Sequence, residues 1–268
     1  MSEGGIVDAF HGLGRPPTDA GGRTDLSDIT SLLAGHGVTQ TVLVQPEPDW
    51  GLSKVALTAA AADELVGAVV VWADLTKAGL PGLLEMKAAF PKLRGVCHPV
   101  HREENRWLLR DDVLKGLRTV DEQGLSLDLL VEPRHLPSVA ALAAVLPSLR
   151  MVLDHLGSPF VASGIREPWG VYMQNIAPLP NVWGKVSGLI PRDVQPQWRV
   201  SHIRGFVEAA VRMFGYERLM FGSGWPLPEA MADYGQVLEA AIASAGPFTR
   251  AQRERFLRGS ACEFYHLG

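Results

Sequence analysis

A few side chains in this sequence could carry chemistry, and each closes or follows a run of apolar residues. His155, in Asp154-His155-Leu156-Gly157, could act as general acid or base, because an imidazole exchanges its proton near neutral pH. Arg94 and His98 could anchor a carboxylate or stabilise an enolate or oxyanion, since a guanidinium fork matches a carboxylate and a buried arginine needs an anion. Lys185 could orient a substrate, and barrel enzymes also use such a lysine for a Schiff base or as an acid. Gln45, Trp72, His101, Trp107, Phe10, Gly224 and Trp225 would complete a binding pocket around them.

Other chemistries find less support. His98-Pro99-Val100-His101 has a short metal-ligand spacing, but Pro99 disrupts the helix that would align the two imidazoles. With period-two alternation Arg94, Val96 and His98 share one face of their strand, and Gly95 and Cys97 share the other. If the Arg/His face points inward, Cys97 packs against helices as a small apolar filler rather than a nucleophile. Cys97 and Cys262 are the only 2 cysteines, too few for a disulfide framework and outside any Cys-x-x-Cys zinc pattern.

The elements that must position these residues read as strands alternating with helices. The strands are expected at 5–9, 39–45, 65–72, 93–98, 126–132, 150–155, 181–187 and 218–222. Helical stretches are expected at 25–35, 53–63, 110–122, 138–146, 202–214, 229–244 and 249–258. Asp25 and Thr249 suit N-caps, and Gly35, Gly79 and Gly124 suit stops. Runs such as Val-Gly-Ala-Val-Val-Val-Trp are continuously apolar, as parallel strands buried on both faces are. Eight strands in strict β/α alternation over roughly 250 residues predict a single-domain (β/α)8 TIM barrel spanning 1–268, with its site at the C-terminal strand ends. No Gly-x-Gly-x-x-Gly turn follows the first strand, which disfavours an open dinucleotide-binding sheet, and no cofactor is expected.

Composition narrows the partners. The 268 residues carry a net charge of −4, with 47% hydrophobic and 20% charged residues, a globular profile with no basic cluster for nucleic acid. No apolar run approaches the ~20 residues of a membrane helix, and no export signal opens the chain. A cytoplasmic enzyme of bacterial type, acting on a small molecule and forming a homodimer, is the expectation.

Several motifs together resemble a known family. Ile6-Val7-Asp8-Ala9, Arg94-Gly95-Val96, Asp154-His155-Leu156-Gly157, Lys185-Val186-Ser187-Gly188-Leu189 and Phe221-Gly222-Ser223-Gly224-Trp225-Pro226 resemble, in order, the amidohydrolase-related (amidohydrolase 2) family. Within it the sugar-lactone and dicarboxylate-lactone hydrolase branch is most similar. Trp107-Leu108-Leu109 and the closing Ala261-Cys262-Glu263-Phe264-Tyr265 extend the likeness. The resemblance implies the barrel fold, identifies His155 and Arg94 with a strand-six histidine and a strand-four arginine, and gives Lys185 a structural or substrate-orienting part.

The chain departs from the family where the family binds metal. Phe10 and Gly12 stand where the family has two histidine ligands, and Gly224 stands where it has the aspartate that binds metal and takes the proton of water. A divalent ion needs three or four N, O or S ligands, so no metal is expected there. His11, one residue out of phase, is expected to turn away from the pocket. These features together suggest metal-independent acid–base chemistry on a small carboxylate- or lactone-containing substrate. It would be lactone hydrolysis or a non-hydrolytic cyclisation, isomerisation, elimination or decarboxylation. A barrel that only binds a ligand or partner is the second reading, and a metal site rebuilt from His98, His101, His155 or Asp74 the third.

Overall fold

Short runs rich in β-branched residues become the eight strands of one parallel sheet, in sequence order. They are β1 Ile6–His11, β2 Val38–Gln45, β3 Val66–Trp72 and β4 Leu93–His98, then β5 Ser126–Leu129, β6 Met151–Leu153, β7 Val182–Val186 and β8 Leu219–Phe221. The computed structural model describes residues 4–13, 26–77, 80, 82–191, 198–227 and 232–268. Beyond the regular strands, the Gly12 amide donates to Trp225 O at 2.7 Å and the Gly224 amide to Phe10 O at 2.8 Å. A bridge between His11 and Trp225 accompanies them, so β8 returns to β1 and the sheet forms a (β/α)8 barrel.

Helices α1 Leu26–Gly35, α2 Trp50–Ala61, α3 Leu83–Ala89, α4 Asp111–Glu122 and α5 Leu136–Val145 follow the first five strands. Then come α6 Trp169–Ile176, α7 Val200–Phe214, α8 Tyr234–Ala245, α9 Arg250–Glu254 and α10 Ser260–Tyr265. Each long helix turns one stripe to the strands; in α7, Ile203, Phe206, Val207, Ala210 and Phe214 are buried at three- and four-residue spacing. Thr249 caps α9 as expected, its hydroxyl accepting from the Gln252 amide. The helix expected from Ser53 begins at Trp50, because the Asp49 carboxylate receives the Gly51 and Leu52 amides. The cap at Asp25, the stop at Gly79 and the helix start at Glu229 lie outside the described residues. Among the described residues no helix is long and apolar enough to cross a membrane.

The core has two layers. A large apolar cluster fills the space between strands and helices, and a smaller one fills the barrel itself. The inner cluster takes Val7, Ala9, Val42, Val44, Ala68, Val70, Cys97, Val152, Trp183 and Met220 from the strands, with Ala261, Phe264 and Tyr265 of α10 plugging its base. This settles the phase of β4, against the sequence reading. Cys97 points into the barrel, and Val96 packs outward against the helices. Arg94 and His98 share the Val96 face, so neither points inward.

Candidate active site

The mouth of the barrel holds a cavity of about 310 Å³, lined by the ends of β1, β2 and β5 to β8 and by parts of α7 and α8. Its composition starts with an irregularity in β1. Val7 and Ala9 point into the barrel, so strict alternation would send Phe10 out and His11 in. The pairing slips instead: Asp8 opposes Thr41 but His11 opposes Leu43, a bulge that re-aims the strand end. Phe10 therefore lines the cavity. His11 turns away, as expected, and its Nε2 meets Thr41 Oγ1 at 2.9 Å. Burial holds its pKa below the ordinary value, with Asp8 opposing that shift. Gly222 makes room for the re-aimed ring, since a Cβ there would lie 2.8 Å from Phe10 Cβ.

Asp8 locks this corner. Its Oδ1 accepts the Phe10 amide at 3.1 Å and the Ser223 amide at 2.8 Å, and its Oδ2 accepts the Tyr234 hydroxyl at 3.1 Å. Burial raises its pKa, and His11 together with the Ser223 and Phe10 donors partly opposes the rise.

His155 also lines the cavity. β6 stops at Leu153, two residues earlier than expected, because His155, Leu156, Gly157 and Ser158 all have positive φ of 55°, 51°, 71° and 52°. Left-handed backbone costs a non-glycine residue roughly 1–2 kcal/mol, so three such residues store strain that surrounding contacts must hold. Trp169 Nε1 donates to Leu156 O at 2.7 Å, and Ser187 Oγ accepts the His155 amide at 3.2 Å. The same Oγ lies 2.8 Å from His155 Nδ1, which fixes the ring. Gly188 packs close against the ring; a Cβ on it would come within 2.4 Å of Nδ1.

Lys185 sits deeper. Its Nζ lies 5.0 Å from the centre of the Phe10 ring, and the His155 ring meets that ring at a tilt of 59° with centroids 4.8 Å apart. Phe10 is therefore a partition, with imidazole above and ammonium below. Lys185 is fully buried, with Nζ 2.5 Å from Asp128 Oδ2 and 2.9 Å from Asp154 Oδ1. Tyr265 of α10 donates to Asp128 Oδ2 at 2.6 Å. Among the described residues Lys185 is the cation facing Asp154, at 2.9 Å from its Oδ1. Burial disfavours the ammonium, but the two carboxylates outweigh it and hold the Lys185 pKa up. Burial pushes Asp128 up to about 6 despite the ammonium, and raises Asp154 too. Desolvation, reinforced by both carboxylates, raises Cys97 well above a usual thiol, which removes it as a nucleophile.

Of the residues picked out in the sequence, Phe10, His155 and Gly224 meet at this cavity. Arg94, by contrast, stands at the opposite end of β4, hydrogen-bonded to Pro91 O and close in charge to His266 and Arg150. A clamp between Arg94 and His155 is therefore not formed. His98 lies flat on Trp107 with centroids 4.2 Å apart and is paired with Glu103 at 3.1 Å, behind the mouth. Gln45 folds onto its own loop, its Nε2 donating to Glu47 O, and His101 lies against Leu130 O. Trp72 lines a separate cavity of about 300 Å³ with Trp50, Asp74, Lys77 and Leu80. Trp225 packs edge-on against Tyr234. Lys185 is sealed beneath Phe10.

The sequence places Ser187 at the end of strand seven without a role, and Asp128 is not among the residues it picks out. Lys185 and Ser187 are two apart in Lys-Val-Ser-Gly and so share a face, a readable signal for Ser187. Asp128 lies within the Leu-Asp-Leu-Leu-Val run that reads as a continuously apolar strand, and it faces the barrel interior.

Phe10, Gly12 and Gly224, where the resemblance implies metal ligands, carry no side-chain donor. Gly224 has φ of 71°, and a Cβ there would lie 3.4 Å from Gly188 N. Among the described residues no three His, Cys, Asp or Glu side chains gather around a point that could hold an ion. The described donor set does not fit a divalent metal.

The chain matches the amidohydrolase (Amidohydro_2) family over residues 16–267. It is 36% identical over 250 residues to the L-fucono-1,5-lactonase of Burkholderia ambifaria, covering 90% of this chain and 84% of that protein. A crystal structure of an amidohydrolase from Burkholderia multivorans with bound HEPES superposes with a TM-score of 0.87 at 27% identity, covering 98% of this chain and 99% of that one. An amidohydrolase structure from the same organism, with bound zinc, has a TM-score of 0.82 at 29% identity over 92% and 90% of the two chains. The fold, the match along nearly the whole chain and the lactonase likeness converge: this protein belongs to the amidohydrolase family and is an enzyme of hydrolase type.

Proposed function

We propose that this enzyme hydrolyses a small lactone at the barrel mouth, with His155 as the acid–base group and without a metal-bound water. The observation that carries the reading is His155 itself. A strained left-handed turn presents its ring at the cavity wall, and Ser187 Oγ holds Nδ1 at 2.8 Å. Nε2 is the ring nitrogen assigned to proton exchange with substrate. The lactonase relative supports the reaction class.

In the first step a water oxygen bonds to the lactone carbonyl carbon while His155 takes a water proton. In the second the ring C–O bond breaks, and His155 returns the proton to the departing ring oxygen. The product is a hydroxy acid, which ionises at neutral pH. Gly188 N–H, which has no acceptor among the described residues, borders the same cavity and is the donor assigned to the carbonyl oxygen as it gains charge. A lactone suits this modest equipment, because its activated ester needs less help than an amide.

The test compares wild type with His155→Ala on lactone substrates after dialysis against a chelator. Wild type should keep its activity, and the variant should lose about a hundredfold or more in kcat/KM with an unchanged Tm. Full activity in His155→Ala would remove the histidine from the mechanism. Activity that vanishes with the chelator and returns with zinc or manganese would remove the metal-free reading.

A further inference from the structure

The cavity beside His155 has two chemically different ends. One end carries His155, Ser187 and Ser223, with the backbones of Gly188 and Gly224. The other runs between α7 and α8 and is walled by Leu227, Ile203, Val237, Ala240 and Ala241. None of those five side chains can donate or accept a hydrogen bond. Among the described lining residues there is no Lys, Arg, Asp or Glu either, because Arg94 lies at the far end of β4 and Lys185 is sealed below Phe10. At about 310 Å³ the space is near the lower limit for a small-molecule site, so the substrate is compact.

A polyhydroxylated sugar lactone fits these walls poorly. Its ring hydroxyls would lose water on entering the inner end and find no partner there. An anionic lactone would lack a counter-charge at the described walls. An alkyl chain, by contrast, gains from burial there without leaving a polar group stranded.

Resting on the lactonase reading above, we infer that the substrate is an uncharged lactone bearing an alkyl side chain. Its ring carbonyl sits at His155 and Ser187, and its chain occupies the slot between α7 and α8. The side-by-side alanines of α8 leave the slot open, where larger residues would fill it.

A homologous series tests this. Hydrolysis of δ-valerolactone, δ-octalactone and δ-decalactone is compared with that of L-fucono-1,5-lactone, each corrected for spontaneous opening. Each buried methylene should raise kcat/KM about three- to fourfold until the slot is full, giving roughly several hundredfold for a fully buried pentyl chain. A flat response to chain length, or a preference for the sugar lactone, overturns the inference while leaving lactone hydrolysis standing. Binding of inert lactams, 2-piperidone against 6-pentyl-2-piperidone, reads the slot by calorimetry without catalysis. There the pentyl compound should bind roughly several hundredfold more tightly. If no lactone is opened but the lactams show that difference, the hydrolytic reading fails and the slot stands; equal affinities overturn the slot. In Ala240→Leu the pentyl-to-unsubstituted ratio should fall at least tenfold. A variant that keeps both its Tm and that ratio contradicts the placement of the chain. If Ala240→Leu does not fold, the lactam pair on wild type decides.

Discussion

Below the Phe10 ring lie an ammonium, two carboxylates and a tyrosine that water does not reach; above it lies a cavity with one imidazole and, among the described residues, no formally charged lining group. The lower region resembles the interior of many polar active sites, and the upper one resembles a hydrophobic binding slot. Their order along the barrel axis reverses the usual expectation that charge gathers at the mouth. Charge here serves the scaffold: Lys185 ties β7 to β5 and β6 through Asp128 and Asp154, and Tyr265 ties α10 to the same point. Reactivity is left to a ring whose orientation comes from Ser187 and Gly188. Phe10 touches both regions, the ammonium at 5.0 Å and the imidazole at 4.8 Å from its ring centre.

The contrast breaks if the lower cluster proves dispensable. Lys185→Met leaves two buried carboxylates without their cation, and removing one partner of a buried ion pair costs on the order of 3–5 kcal/mol. Urea denaturation should show that loss; one below about 1 kcal/mol would mean that water or protons reach the cluster readily. A smaller effect should come from pH. Asp128 is pushed up to about 6 from an ordinary 3.8, so the folded protein holds a proton there that the unfolded chain releases. The stability from that proton is fully present below about pH 4 and is lost as pH rises through about 6. Between pH 7 and pH 4.5, wild type should therefore gain on the order of 2 kcal/mol relative to Asp128→Asn. Parallel stability curves for the two proteins across that range would show that Asp128 is not the proton-holding group. The smallest effect belongs to the upper region. Ser187→Ala removes one hydrogen bond to the His155 ring, worth about 1 kcal/mol, so kcat should fall about tenfold or less while KM stays put. A change confined to KM would make Ser187 a substrate contact instead of a positioning residue.

The sequence made the barrel legible because parallel strands buried on both faces read as unbroken apolar runs, and their alternation with helices was strict. Phe10, His155 and Gly224 were legible because motif positions, rather than strand phase, located them. Arg94 and His98 were misplaced for a physical reason. Both faces of β4 are buried, so its six residues carry no hydropathy signal for which face is inside. Asp128 was hidden by the opposite effect. Leu127 and Leu129 pack outward against helices, so the polar face is the one enclosed. The bulge that swings Phe10 inward leaves no mark in composition at all.

The pins that hold the barrel shut join residues far apart in the chain. Asp8 reaches Ser223 and Tyr234 over 215 and 226 residues, and Tyr265 reaches Asp128 over 137. A ribosome delivers Asp8 long before Tyr265. Until α10 emerges, a nascent chain that has already paired its first seven strands holds Asp128, Asp154 and Lys185 in a trough open at its base. Contacts of such long range slow folding and prolong the exposure of apolar strand faces. The last helix is therefore a stopper fitted after the vessel is made, and chains that stall before it are the ones a cell's quality control should meet.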